Sequence, residues 1–425
     1  MLDSLKTAWK LSDLRQKIIF TLIMFLVFRI GAHVPVPGIN TNIIEELMKG
    51  QLFGFFDVIS GGAFKRFTVF AMSITPYINA SIIMQLLTVV VPALEKLAKE
   101  GEEGRKKITQ YTRYGTVILG FIQALGMAVA LGRYNIGGQS AVINPGWGSY
   151  LLIATTLTAG TALLMWIGEM ITDRGIGNGI SLIIFAGIVA RVPSALVSIG
   201  QYLVAGTVNV FNVLLLVVIA LLVIAGVVAM HEGQRRIPVQ YAKRVVGRRV
   251  YGGQSTHLPL RVNQAGVIPV IFAMSIMMFP ATIASWFSAS WLNTFIQNYF
   301  NFGTPLYNVL YALLIIFFTY FYTAVTFNPM DVADNMKKYG GFIPGIRPGR
   351  PTAEFIDRVL TRITLAGAIF LAFIAILPNF VIALTKITTI WFGGTALLIV
   401  VGVALETMKQ VESHLLLRSY QGFMK

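Results

Sequence analysis

The sequence has no cysteine in 425 residues. That absence excludes disulfides, thiolate metal sites and a cysteine nucleophile together. Histidine is nearly as scarce: His33, His231, His257 and His414 lie far apart, and no two stand at the i, i+4 spacing of a ligand pair on one helix face. No GxxxxGK[ST] phosphate loop occurs, and GEEGRKKIT, starting at Gly101, has neither its spacing nor its setting. A catalytic set, a cofactor site and a metal site are therefore not expected, and any work must draw on a partner or a gradient. Segment 1–17 carries mixed charge with no small-residue cleavage site after it, so a removable signal peptide is not expected either. Charge is sparse, at 12% of residues, and acidic side chains are outnumbered 18 to 34.

Apolar surface fills the space that charge leaves. Hydrophobic residues make up 56% of the chain, and its mean hydropathy is +0.72. Lipid leaves helices and closed barrels as the spanning structures. The apolar runs here are continuous rather than alternating at every second residue, which excludes the barrel. The fold class expected is an all-α polytopic membrane protein. Runs at 18–33, 74–91, 114–131, 150–171, 180–197, 210–230, 266–283, 306–327, 359–377 and 390–408 predict ten transmembrane helices. Segment 1–17, with Leu2, Leu5, Trp9 and Leu11 on one side, reads as an amphipathic stretch on the membrane surface.

Loop charge orients the spans. With both termini cytoplasmic, 27 of the 34 Lys and Arg residues fall on the cytoplasmic side. Arg29, Lys49, Lys65, Arg66, Arg133, Arg191 and Lys386 remain opposite. The positive-inside rule selects this topology, and the net charge of +16 needs no nucleic acid to explain it. Ten spans divide as five and five, a half over 1–200 and a half over 201–425. An odd number per half makes the halves inverted relative to each other, and such halves place a functional path at their interface.

The chain is organised around 54–91, GFFDVISGGAFKRFTVFAMSITPYINASIIMQLLTVVV. Its second part is long enough to span. Its first, 55–67, is short, charged at Asp57, Lys65 and Arg66, and interrupted by Gly61 and Gly62. Such a segment at membrane depth needs a cavity around it, so a plug half-helix dipping into a cavity is expected. Ile74 and Ile78 share one helix face, as do Ile180 and Ile184; plain packing or lipid contact competes here with a hydrophobic constriction. Asn79, Gln85, Glu169, Asn178 and Asn263 are polar residues in or beside spans, and read equally as interhelical glue or as a polar cluster closing a seam.

Two loops stand out. Loop 231–263 sets Arg235, Arg236, Lys243, Arg244, Arg248 and Arg249 among β-prone residues and glycine pairs, the pattern of a projecting hairpin. Orientation charge and attraction to anionic lipid explain part of it; its length also suits docking of an acidic partner. Loop 327–358 holds Arg347 and Arg350 in a Pro/Gly frame. A secondary transporter is the competing class, but it needs ionisable groups within the membrane, and Glu169, near a span end, is the sole candidate. A structural scaffold needs neither a plug nor long basic loops.

The stretches ITPYINASIIMQLL, KITQYTRYGT, DRGIGNGIS, GQRRIPVQYAKR, QSTHLPLRVNQAGVIP, FNPMDVADN and GIRPGRPT closely resemble the SecY family of bacterial protein-translocation channels, along essentially the whole chain. The resemblance implies two pseudo-symmetric inverted five-helix halves around an hourglass pore. Its ring would be Ile74, Ile78, Ile180, Ile184, Ile271 and Ile399. Its plug would run over 55–67, with Phe55, Phe56, Asp57, Val58, Ile59, Ser60, Gly61, Gly62, Ala63 and Phe64. Its lateral gate would lie between the second and third spans and the seventh and eighth, with Gln85, Glu169, Asn178 and Asn263 in the polar cluster. Implied partners are SecE and SecG subunits, a SecA motor ATPase or the ribosome on the basic loops, signal sequences, translocating polypeptides and membrane lipids. No nucleic-acid role is implied beyond contact with ribosomal RNA. The implied location is the bacterial cytoplasmic membrane.

Overall fold

The computed structural model describes residues 9–41, 43–44, 60–133, 135–136, 139–241, 244–246, 249–251, 255–286, 295, 299–300, 304–385 and 394–422. Helix α1 spans Ser12–Gly31, α2 Thr75–Val90, α3 Pro92–Lys99 and α4 Glu102–Gly132. They are followed by α5 at Trp147–Arg174, α6 at Gly179–Val189, α7 at Val192–Val204 and α8 at Val210–Glu232. The chain continues with α9 at Ile268–Trp286, α10 at Pro305–Thr326, α11 at Pro329–Lys338, α12 at Arg350–Thr385 and α13 at Gly394–Gly422.

Among the described residues, six helical stretches are long and apolar enough to cross a bilayer: α4, α5, α6 with α7, α8, α10 with α11, and α12. The pair α2–α3 makes a seventh if counted as one span, bent by 99° at its break. The sequence predicts ten. Helix α1 coincides with the first of them but carries Asp13, Arg15, Lys17 and Arg29, and α9 contributes a shorter apolar stretch, Ile268–Met277. Residues 386–393, at the start of the expected tenth span, lie outside the described residues.

Helix ends follow local chemistry. Proline begins α2 and α3, where a missing N–H costs nothing. Val91, just before Pro92, is extended at φ −97° and ψ 112°, as a residue preceding proline prefers, and this makes the sharp bend. Gly101, at φ +83°, breaks α3 from α4. Helix α4 then starts at Glu102 rather than near 114, and its 31 residues reach about 46 Å at 1.5 Å per residue. That exceeds the roughly 30 Å hydrocarbon layer, so the basic turns before the apolar run are a helical extension and not a loop. Position 200, the expected boundary between halves, lies inside α7; the break between elements comes at 205–209.

The helices divide into neighbourhoods. Helix α4 packs on α2 and α5, and α5 on α6. Helix α10 packs on α9 and α12, and α8 on α13 and α12. These groups meet at two places: α9 lies against α2 and α4, and α13 lies against α6. One apolar cluster runs through the meeting place, from Phe28, Ile74 and Ile184 to Val270, Phe318, Leu371 and Ile399.

Short strands stand beside the helices, most of them in the loop where the sequence predicts a hairpin. Strands β1 (Asn135–Ile136) and β2 (Gln139–Ser140) pair, as do β4 (Arg244–Val246) and β5 (Arg249–Tyr251). Strand β3 (Gln234–Tyr241) lies between β6 (Ser255–Arg261) and β7 (Gly341–Phe342), antiparallel to both. Ile237, Val239, Leu260, Met336, Ile343 and Ile356 form a separate small core beneath this sheet.

Candidate functional site

Four of the six ring isoleucines are buried: Ile74 at 0% exposure, Ile78 at 8%, Ile184 at 2% and Ile399 at 2%. Ile180 and Ile271 are partly buried and pack on the same cluster. The six come from α2 or its cap, α6, α9 and α13, so both sequence halves contribute to one apolar patch. Backbone contacts set this up. Asn178 caps α6, its Oδ1 accepting from Ile180 N at 3.1 Å and Ser181 N at 3.3 Å. Gly179 admits the close approach of α5, since a Cβ there would overlap the Gly168 carbonyl oxygen.

The described part of the plug candidate, from Ser60 on, is turns rather than the expected half-helix. The backbone explains the difference: Gly61 sits at φ +66°, Gly62 at +90° and Phe67 at +45°, all outside the right-handed helical region. Ser60 Oγ accepts from Phe64 N at 3.0 Å, and Ser60, Ala63 and Phe64 are buried. Phe55, Phe56, Asp57, Val58 and Ile59 lie outside the described residues. Gly61 accepts a hydrogen bond of 2.9 Å from Arg29 Nη1.

The four gate candidates do not hydrogen-bond to one another. Glu169 pairs with Arg113 of α4, Oε1 to Nε at 2.8 Å, and so ties α5 to α4. Asn178 is occupied as the cap of α6. Gln85 of α2 and Asn263, just before α9, are different, because each buries a side-chain oxygen with no hydrogen-bond partner. The Asn263 amide nitrogen donates to Gly266 O at 3.0 Å and lies 3.4 Å from His231 Nε2. Asn79 Oδ1 on α2 and Tyr311 Oη on α10 are also buried without a partner. An unpaired buried polar group costs about 1–3 kcal/mol, a cost carried here by α2, by α10 and by the turn before α9.

The two basic loops form one body. Seven residue pairs, from Gln234↔Arg261 to Gln240↔Ser255, join β3 to β6, which is the anticipated hairpin. Gln240↔Phe342 and Tyr241↔Gly341 then bring in the second loop. Arg235, Arg236, Arg347 and Arg350 are exposed on this body, and Arg350 Nε reaches Glu354 Oε1 at 3.2 Å. The backbones of Arg244 and Arg249 lie in β4 and β5, while Lys243 and Arg248 lie outside the described residues. No group of three His, Cys, Asp or Glu able to hold a metal occurs among the described residues.

Sequence reasoning does not single out Arg113, His231 or Arg29 as site residues. A signal existed for Arg29, because a cation inside an apolar run needs a partner. For Arg113 and His231, only the fold brings the partner near.

Comparison with known proteins places this geometry. The family model described as SecY matches residues 68–408. A curated relative from Halalkalibacterium halodurans, "Protein translocase subunit SecY", is 51% identical, covering 100% of both chains. The protein of that name from Escherichia coli is 50% identical over 98% of this chain and 95% of its own. Among solved structures, "The plug domain of the SecY protein stablizes the closed state of the translocation channel and maintains a membrane seal" aligns with TM-score 0.67 at 20% identity, covering 94% of this chain and 92% of that one. "Sec61 in the Canine ribosome-channel complex from the endoplasmic reticulum" aligns with TM-score 0.64 at 20% identity, over the same shares. At that identity the two structures show a common fold.

Proposed function

The chain belongs to the SecY family, and from that membership we propose that it is the channel-forming subunit of a protein translocase. It passes unfolded polypeptides across the bacterial cytoplasmic membrane between its two halves. The observation that carries the reading is the apolar patch itself: Ile74, Ile78, Ile180, Ile184, Ile271 and Ile399 belong to one cluster assembled from both halves. Apolar side chains suit a conduit for any sequence because they offer a passing peptide no hydrogen bonds. Closed on themselves, they hold back water and ions by dewetting.

In this reading the full chain has ten spans in two inverted halves around an hourglass pore, and 55–67 is the plug. The gate opens where α9 faces α2 and α4, elements that meet there through packing. A sufficiently apolar segment leaves sideways through this seam into lipid, the solvent it prefers. Gln85 and Asn263 belong to the gate, and their unpaired oxygens make the closed seam easier to part. Glu169, paired with Arg113, ties α5 to α4 beside this seam, and Asn178 caps the start of α6.

The basic body on β3, β6 and β7 takes the driving partner, a SecA-type motor or a ribosome, on Arg235, Arg236, Lys243, Arg244, Arg248, Arg249, Arg347 and Arg350. A further structural neighbour, "Cryo-EM structure of idle yeast Ssh1 complex bound to the yeast 80S ribosome", aligns at TM-score 0.57, and this supports a ribosomal partner for the fold. SecE and SecG complete the complex, and both termini face the cytoplasm.

A photo-crosslinker at Ile78, with a secretory precursor stalled halfway in membrane vesicles, tests the path. An adduct that requires both the signal sequence and the energy source is expected. Active export with no adduct at Ile78, Ile184 or Ile271 would place the path elsewhere.

A further inference from the structure

Arg29 lies in the last turn of α1, partly buried in a helix that is otherwise apolar around it. A cation at a helix C-terminus is favoured by the helix dipole, which accounts for the charge but not for its aim. The guanidinium leaves its own helix and donates from Nη1 to the Gly61 carbonyl at 2.9 Å, across 32 positions of sequence. Gly61 is also confined from the other side. A Cβ built on it would lie 3.1 Å from Gly187 Cα on α6, and its φ of +66° favours glycine. Gly61 thus sits between α1 and α6, at the junction of the described turns and the residues of the plug before them.

The rest of this connection is tied down by backbone and ring contacts. Val36 N donates to Phe67 O at 3.1 Å and Val69 N to Val34 O at 2.9 Å, while Phe28 stacks on Phe70 at 6.1 Å. Those ties anchor the stem leading into α2. At Gly61 the tie to α1 is the Arg29 side chain, which can let go without unfolding anything.

We propose that Arg29 is a positioning residue that latches the plug of the closed channel, through its hydrogen bond to the Gly61 carbonyl. The inference rests on the reading of 55–67 as a plug. A charge-assisted bond is among the stronger single hydrogen bonds, and it would break when the plug leaves, so it weights the equilibrium toward the closed state. Release of Gly61 becomes part of opening, and Arg29 then faces the vacated entrance.

Iodide efflux from proteoliposomes containing the assembled complex tests this, with no translocating substrate present. Arg29→Leu is expected to raise efflux about tenfold or more, the scale of one charged hydrogen bond, and Arg29→Lys to restore most of the seal. Deleting 55–62 is expected to leak as well. Adding Arg29→Leu to the deletion should give no further leak, because the latch has nothing left to hold. Arg29→Leu vesicles as tight as the parent, beside a leaking deletion, would overturn the latch and leave the plug. Leaks that multiply in the double variant would also overturn it, placing the effect of Arg29 elsewhere. A tight deletion would remove the plug reading itself and the latch with it. If Arg29→Leu does not assemble, Gly61→Ala disturbs the same contact with Arg29 intact; it should leak, and a tight Gly61→Ala channel would overturn the proposal.

Discussion

Polar residues embedded in apolar helices sort by whether their hydrogen bonds are complete. Asn178 satisfies two backbone N–H groups at the start of α6, and replacing such a cap by alanine costs about 1 kcal/mol. Asn178→Ala should therefore lower the melting temperature of the detergent-solubilised protein by about one degree, while Asn178→Asp, which keeps the acceptor, should not. Glu169 holds Arg113, with their side chains 16% and 49% exposed. Half-exposure of the arginine limits the pair to about 1 kcal/mol, so Glu169→Gln should lower stability slightly and leave precursor export intact. Lost export with unchanged stability would show that Glu169 serves the path and not the α4–α5 contact. The sequence marked both residues as costly in lipid, yet it could not show their partners. Asn178 is paired two and three residues away, where capping rules apply, but Glu169 meets an arginine 56 positions distant, and no local pattern encodes that.

Elements were legible in proportion to how far a single period explains them. Apolar runs located α2, α5, α8 and α10 closely, since each is buried in lipid or protein along most of its length. They misjudged α4 and α12, whose charged turns extend past the apolar run; a helix does not stop where the membrane does. They also gave the two basic loops separately, because the pairing of β3 with β7 joins residues about a hundred positions apart. The small core beneath that sheet predicts the behaviour of the body. Leu260 is 0% exposed, and truncating a buried leucine to alanine costs about 2–5 kcal/mol. Leu260→Ala should accelerate tryptic cleavage within 231–263 and weaken partner docking. The Ile78 adduct should persist whenever export is still driven, because the body and the isoleucine patch belong to separate cores.

For the whole molecule, charge and connectivity matter more than any single contact. In the proposed topology most of the Lys and Arg behind the net charge of +16 share the side of the basic body, so binding of the proposed motor should weaken several-fold between about 0.05 and 0.5 M salt, as screening shortens from roughly 14 to 4 Å. A salt-insensitive affinity would point to an apolar interface instead. The proposed inversion of the two halves rests on counting spans, and no residue pattern in the chain displays it. The body also has a one-sided attachment. Its strand β3 follows directly from α8, β6 leads into α9, α11 continues α10, and β7 leads into α12. Every covalent root of the body is therefore in the second half of the chain, and none is in α1 to α6. In the proposed channel, a partner gripping this body would hold one cover of a book by its tab, and its push would bear on the edge where α9 rests against α2 and α4.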